Sequence, residues 1–497
     1  MNPLLLTDGY KTSHHRMYPP NTEVVYSNYT CRSVARMPEQ AKKIVVFGIQ
    51  YTFQYIQEIY QKEFFDKPKN EVCQEAKKYL SSYLGTDYDV THFEKLHDLG
   101  YLPIEVKALP EGTLIDAGIP LFTIKNAFPE FFWLTNYLET LISTLIWKPV
   151  HSASLAYAFK QVLLKYATET DKENVGFVNF QGHDFSFRGM QSPESAISSG
   201  LGFLTSFMGT DTIVALQAAK HYYGSYNAAF SVPASEHSVM TAYGKEDELG
   251  AFKRLIQQYP TGILSVVSDS FDLWKVLTEY LPAIKSEVLA RDGKLVIRPD
   301  SGDPVDILCG VNPEFGYSGE TDIAQNKGVI ELLWDIFGGT VNEQGYKVLD
   351  SHIGAIYGDS ISLERAQQIC ERLKAKGFAS TTVVLGIGSY SMGYATRDNQ
   401  GGAVKSTAVV VDGELREIFK DPITDDGTKK SKKGLLQVFN NRPDAQGDVL
   451  LFDGKDEIKV ADQCTWEQEQ GGLLQTVFKD GKLVKTTTLE EIRNKLK

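Results

Sequence analysis

The sequence predicts an α/β protein centred on a (β/α) barrel. Two observations predict it. From 151 to 398, short apolar runs alternate with helix-patterned segments, which is the grammar of βαβ units and a parallel sheet. Nearly every run ends in a polar group with Gly or Ser nearby, as strands do when their carboxyl ends share one rim. A third observation bounds the barrel. Residues 1–150 mix short strands and helices, and residues 399–497 return to β-hairpin patterns. The chain therefore divides into an N-terminal α+β segment (1–150), a barrel-like domain (151–398) and a C-terminal β-rich segment (399–497). Its 497 residues suffice for more than one core.

In the first segment, YPPNTEVVYSNYTCR reads as a Pro-Pro-Asn turn followed by a strand. KIVVFGIQYTFQYIQEIYQKEFF starts apolar and becomes an amphipathic helix. FPEFFWLTNYLETLISTLIW is a second helix, more apolar than one buried stripe requires. Burial between domains or subunits accounts for that, and so does a thick core. SASLAYAFKQVLLKYATE is a further helix. The barrel runs are GFVNFQGHDFSFRG, TDTIVAL, AFSVPASEHS, ILSVVSDSFD, KLVIRPDSGD, HIGAIYGDS and TTVVLGIGS. Seven such runs favour a closed barrel, with an open doubly wound sheet as the alternative. Beyond 399, AVKSTAVVVDGELREIFKDP and QTVFKDGKLVKTTTL each read as strand, Asp-Gly turn, strand, and VLLFDG as a further strand. EEIRNKLK closes the chain as a short helix.

The bulk numbers exclude several functions. A net charge of -12 disfavours non-specific nucleic-acid binding, while leaving room for a basic pocket. The five cysteines are scattered without a CxxC pair, as in reduced cytosolic proteins. MNPLLLTDGYK is no signal peptide, and no apolar stretch approaches the roughly 20 residues of a membrane helix. A cytoplasmic protein is expected. No GxGxxG follows the first strand, and GxxxxGK[ST], zinc-ligand spacing and GxSxG are absent.

The ends of the runs carry the chemistry. They present His183, Asp184, Phe185 and Arg188; Gly209-Thr210-Asp211, ahead of the second run; Glu236-His237-Ser238; Ser268-Asp269-Ser270; Arg298-Pro299-Asp300-Ser301-Gly302; Gly358-Asp359-Ser360; and Gly386, Gly388 and Ser389. One such ending is a turn. Several in series imply a rim, and a rim is where a barrel builds its site. A glycosidase would favour Glu and aromatic platforms. Asp with Arg, Gly and Ser instead points to a phosphorylated, magnesium-bound substrate.

The ordered motifs DGYK, YPPNT…CR, WLTNYLET, HDFSFRG, GTDT, SVPASEHS, SVVSDSFD, IRPDSGDP, GD, TRD, FKDP and KKSKKG span the chain from Asp8 to the C-terminal helix. In them the sequence resembles the nicotinamide phosphoribosyltransferase family, a group of type II phosphoribosyltransferases. The resemblance implies an irregular (β/α) barrel flanked by a β-rich α+β domain built from the N- and C-terminal segments. It implies a pentosyltransferase of NAD salvage, a homodimer with shared sites, Mg2+ held mainly through substrate pyrophosphate, and ATP as a coupling co-substrate. The rivals are a nicotinate phosphoribosyltransferase and a catalytically silent binding protein on the same fold.

Position by position, the resemblance implies that Phe185 stacks on one face of nicotinamide and Tyr10 of the partner subunit on the other. Asp211 would accept the carboxamide N–H and repel nicotinate. Arg188 and Arg298 would bind pyridine and phosphate groups, and Arg32, Arg397, Lys405, Lys420 and Lys429 further phosphates. Asp300 and Asp359 would hold ribose hydroxyls, with Asp269 near the sugar or magnesium. Gly358, Gly388 and Ser389 would cradle the 5′-phosphate, although the family shows more glycine there than GIGSYS does. His237 would be phosphorylated by ATP. Asp303 either touches magnesium or caps its turn.

Overall fold

A computed structural model describes residues 1–311, 323–420, 423–424, 431–441 and 457–497. The chain forms two compact units. One comprises Met1–Ser154, Ala218–Ser225 and Ala395–Lys497; the other comprises Leu155–Gln217 and Tyr226–Tyr394.

The first unit is built on a seven-stranded sheet, antiparallel at every pairing. Its order is Glu414–Glu417, Gly402–Val411, Thr22–Cys31, Pro120–Asn126, Ile104–Ala108, Gln475–Lys479 and Lys482–Leu483. The N- and C-terminal segments thus share one sheet, as the resemblance implies. Both Asp-Gly hairpins form. Asp412 and Gly413, and Asp480 and Gly481, take the positive φ that tight hairpin turns demand. Phe122 stacks on Tyr29 at 5.5 Å and meets Phe53 edge-on at 5.4 Å, which pins the helix Ile49–Tyr60 to the sheet.

The second unit holds six parallel strands in the order Gly209–Thr210, Gly182–Asp184, Val383–Ile387, Ile353–Tyr357, Leu295–Arg298 and Leu264–Val267. AFSVPASEHS is not a regular strand but the piece that joins the two edges. Phe230 bridges to Gly209 and Ala234 bridges to Ser265. Pro233, which has no N–H to give a ladder, sits between the two bridges. An irregular barrel results.

Three local expectations are corrected. In TDTIVAL the strand is the preceding Gly209–Thr210, and Ile213–Tyr223 is helical, because the apolar run continues into a helix-forming LQAAKHYY. FVNFQ is short helix rather than strand, leaving only Gly182–Asp184 extended. The two helices read on either side of residue 150 are one helix, Leu134–Thr170, which tolerates Pro149 in its interior. VLLFDG lies outside the described residues.

Candidate active site

The carboxyl ends of the parallel strands build two adjoining clusters. The first is a cavity of about 540 Å³ whose lining includes Phe185, His183, Asp211, Ser231 and Arg298. Phe185 follows the Gly182–Asp184 strand and donates its backbone N–H to Ile387 O at 3.0 Å. Its ring packs so tightly on Gly386 that a Cβ there would come within 2.4 Å of it. Glycine is therefore required beneath the ring. The Arg298 guanidinium lies 5.0 Å from the ring centroid, and the His183 ring 4.9 Å. Arg298 Nε is buried and has no hydrogen-bond partner among the described residues.

Asp211 closes this cavity. Its Oδ1 accepts from His183 Nε2 at 2.9 Å and from Ser231 Oγ at 2.7 Å. Burial pushes the carboxyl up, but those two hydrogen bonds and nearby Arg298 more than offset it, so its pKa lies below the usual value.

The second cluster is His237, Asp269 and Asp300, whose ligand atoms lie within 4.8 Å of one another. His237 opens a short helix. Its Nε2 lies 3.0 Å from Asp300 Oδ1 and its Nδ1 3.0 Å from Ser270 Oγ. A carboxylate only accepts, so Nε2 carries the hydrogen and Nδ1 keeps its lone pair toward Ser270. Asp269 is almost fully buried. Its Oδ2 accepts from Asp300 N at 2.9 Å and Ser301 Oγ at 2.5 Å, while Oδ1 has no hydrogen-bond partner among the described residues. An orphaned buried carboxylate oxygen beside a second carboxylate and an imidazole fits a divalent cation.

Other predicted residues fall around these clusters. Gly358 abuts Arg298 and Asp300, where a Cβ would sit 3.1 Å from Arg298 Nε. Asp359 accepts from Ser360 Oγ at 2.6 Å. Gly388 precedes the short helix Ser389–Met392, and Ser389 packs where Gly189 leaves room. Arg188 is exposed on the Phe187–Gly189 turn and does not line the cavity. Asp303 caps the helix Pro304–Cys309, accepting from Val305 N at 2.9 Å and Asp306 N at 3.2 Å.

The remaining residues belong to the first unit. Arg32, Lys405 and Lys420 line a cavity of about 530 Å³ together with Lys432, Asn28 and Thr30. Partial desolvation lowers the Lys405 pKa, Glu139 opposes, and Arg32, Lys420 and Arg397 add to the lowering. Arg397 is exposed, 3.6 Å from Asp398, and Tyr10 is 64% exposed. Lys429 lies outside the described residues.

In the sequence His183 and Ser270 stand at strand ends without an assigned role, and Ser231 goes unmarked. His183 meets Asp211 because their strands pair with His183 opposite Gly209. That register is a long-range property, invisible in either motif alone.

A pocket with an aromatic face beside a His–Asp cluster, on the rim of a parallel barrel, is the arrangement of an α/β enzyme site that can seat a planar ring. Comparison with known proteins narrows the class. Residues 180–482 match the nicotinate phosphoribosyltransferase (NAPRTase) family, and residues 2–106 match the nicotinamide phosphoribosyltransferase N-terminal domain. A nicotinamide phosphoribosyltransferase of Acinetobacter baylyi is 46% identical, covering 100% of this chain and 97% of that protein. One from Xanthomonas campestris is 33% identical, covering 99% and 97%. Among solved structures, human nicotinic acid phosphoribosyltransferase shares the fold with a TM-score of 0.57 at 17% identity, covering 99% of this chain and 93% of that one. Nicotinate-nucleotide pyrophosphorylase from Pyrococcus furiosus shares it with a TM-score of 0.55 at 15% identity, covering 100% and 94%. The chain belongs to the nicotinate phosphoribosyltransferase (NAPRTase) family.

Proposed function

We propose that this chain transfers a phosphoribosyl group from phosphoribosyl pyrophosphate to nicotinamide, forming nicotinamide mononucleotide and diphosphate. The observation that carries the reading is the Phe185–Arg298–Asp211 cavity. It offers a flat face for the pyridine ring and, at its edge, a carboxylate held ionised. A carboxamide N–H can donate to that carboxylate, whereas the carboxylate of nicotinate meets a like charge. The two named relatives carry the same activity in their names.

The chemistry asks for positioning and charge neutralisation. The pyridine nitrogen attacks C1 of the ribose, pyrophosphate leaves, and no general base is needed because that nitrogen carries no proton. Asp300 and Asp359 would hold ribose hydroxyls. Arg298 and the Gly358, Gly388 and Ser389 backbone would face phosphate. Asp269 and Asp300 would hold Mg2+, which neutralises leaving-group charge when bound. Arg32, Arg397, Lys405, Lys420 and Lys429 would bind further phosphates. The exposed Tyr10 of the partner subunit would complete the ring sandwich in a homodimer. Nδ1 of His237, whose lone pair meets only the Ser270 hydroxyl, would be the atom phosphorylated by ATP. We place the activity in the cytoplasm; no helix among the described residues is long and apolar enough to cross a membrane.

The test is direct. Purified protein with nicotinamide, phosphoribosyl pyrophosphate and Mg2+ should form nicotinamide mononucleotide, faster with ATP. A preference for nicotinate would instead favour the nicotinate enzyme, and no transfer to either pyridine would favour a silent binding protein. His237→Ala should remove the ATP stimulation while ATP-independent transfer stays measurable. Loss of all transfer with intact ATP hydrolysis would contradict the role of His237.

A further inference from the structure

We infer that His183 is a positioning residue for substrate selection: it holds Asp211 so that one carboxylate oxygen stays free for a pyridine carboxamide. The inference rests on the functional reading above and deepens it.

The geometry assigns the two oxygens different work. Oδ1 is saturated by His183 Nε2 and Ser231 Oγ. Among the described residues, Oδ2 takes no hydrogen bond, and the Asp211 side chain is 47% exposed toward its cavity. Oδ2 is thus the acceptor left for a ligand N–H. Because Asp211 only accepts, His183 is the Nε2–H tautomer. Its ring cannot swing freely. It is 12% exposed, tilted on Phe185, and its Nδ1 edge abuts Gly209, where a Cβ would come within 2.7 Å. Glycine at 209 is what lets the imidazole lie flat enough to reach Asp211.

The groups facing Asp211 are His183 from one strand, Ser231 from the bridging segment and Arg298 from the Leu295–Arg298 strand. With the His183 donor gone, burial acts on the carboxyl against weaker opposition, and its pKa rises. A protonated Asp211 donates rather than accepts. It would then welcome the carboxylate of nicotinate and lose its preference for the amide.

Two variants separate positioning from bulk structure. His183→Gln places an amide N–H where Nε2 stood. His183→Leu keeps volume and removes the donor. Steady-state kinetics would be run on full-length protein with nicotinamide and with nicotinate, from about pH 6 to pH 8.5, after melting curves establish that each variant folds. For His183→Leu, KM for nicotinamide should rise about 10- to 100-fold, as for a lost hydrogen bond to a charged group, with kcat changed by less than about threefold. Its discrimination against nicotinate should fall at least about tenfold. His183→Gln should restore both to within about threefold of the parent. If His183→Leu keeps the parental discrimination, or if His183→Gln fails to rescue it, the inference is overturned while the activity stands. If the parent transfers to neither pyridine, the functional reading falls instead.

Discussion

The two units treat their titratable side chains in opposite ways. In the barrel unit all three histidines bond a carboxylate: His183 to Asp211, His237 to Asp300 and His352 to Asp350. In the antiparallel unit, among the described residues, only His221 does so, with Glu58. His92 is half-buried among Phe93, Trp133 and Tyr88, stacked on His15 at 4.0 Å, with both ring nitrogens out of solvent and neither bonded among the described residues. His151 is buried, its Nδ1 without a hydrogen-bond partner among the described residues. One cluster of cations differs in the same sense, although other cations of the antiparallel unit are paired, as Lys11 is with Glu139 and Lys107 with Glu469. Arg298 has Asp300 at 3.7 Å, whereas among the described residues Arg32, Lys405, Lys420 and Lys432 form no ion pair. The barrel unit sets its charges before any ligand arrives. The other unit keeps His92 and His151 neutral and holds one cavity whose cations form no ion pair among the described residues, and both have a cost that pH or a polyanion can reveal.

Acid should expose the difference most strongly. Burial, reinforced for His92 by His15 and for His151 by Lys148, lowers each pKa to about 3. Between about 3 and the ordinary 6.5 the unfolded chain binds protons that the folded chain refuses. Stability is therefore fully present above pH 6.5 and drains as pH falls toward 3, by on the order of 4 kcal/mol per histidine at the end of that range. Urea unfolding at about pH 4.5 and 7.5 measures it. His92→Phe, which suits the aromatic surroundings, should recover about 2–3 kcal/mol of the loss at the lower pH. An unchanged acid profile in that variant would mean that His92 does not carry the lability.

The cation cavity should respond next. Lys405→Met should raise KM for phosphoribosyl pyrophosphate about 10- to 30-fold, near 2 kcal/mol, with little change in the KM of nicotinamide. Because burial lowers the Lys405 pKa, a bound polyanion should restore it and draw in protons at alkaline pH. Calorimetry of pyrophosphate binding in two buffers of different ionisation heat reads that uptake. Nicotinamide, meeting an already ionised Asp211, should draw in none through that carboxyl. Equal proton uptake for both ligands would erase the distinction between the units.

Much of this was legible in the chain, and what was missing has a common cause. Runs such as LVIRPDSGD carry strand, rim and loop in consecutive residues, so local pattern suffices. The Asp-Gly hairpins are equally local. What escaped depends on distant partners. SVPAS reads as a strand, but Pro233 leaves it to pair with two different edges. IVAL reads as a strand until the helix-forming residues after it prevail. Phe185 needs Gly386, some 200 residues away, and His183 needs the register that brings it to Asp211. The resemblance supplied roles for residues at the rim, while the contacts among them had to come from the fold.

The smallest prediction concerns a residue whose role local sequence left open. Asp303 lies in the Arg298–Pro304 loop, within the polar group that suggests magnesium. In the fold its Oδ1 is already committed to the N–H groups of Val305 and Asp306, and Pro304 occupies the first helical turn, where no donor is lost. Oδ2 faces Arg365 at 3.7 Å rather than the His237 cluster. Asp303 is a helix cap in the more ordered-charge unit. Asp303→Ala should cost about 1 kcal/mol of stability, and Asp303→Asn, which keeps an accepting oxygen, much less. Both variants should keep the parental Mg2+ dependence of transfer. A weakened Mg2+ response in Asp303→Asn, with stability intact, would move this carboxylate from the cap to the metal and redraw the boundary of the site.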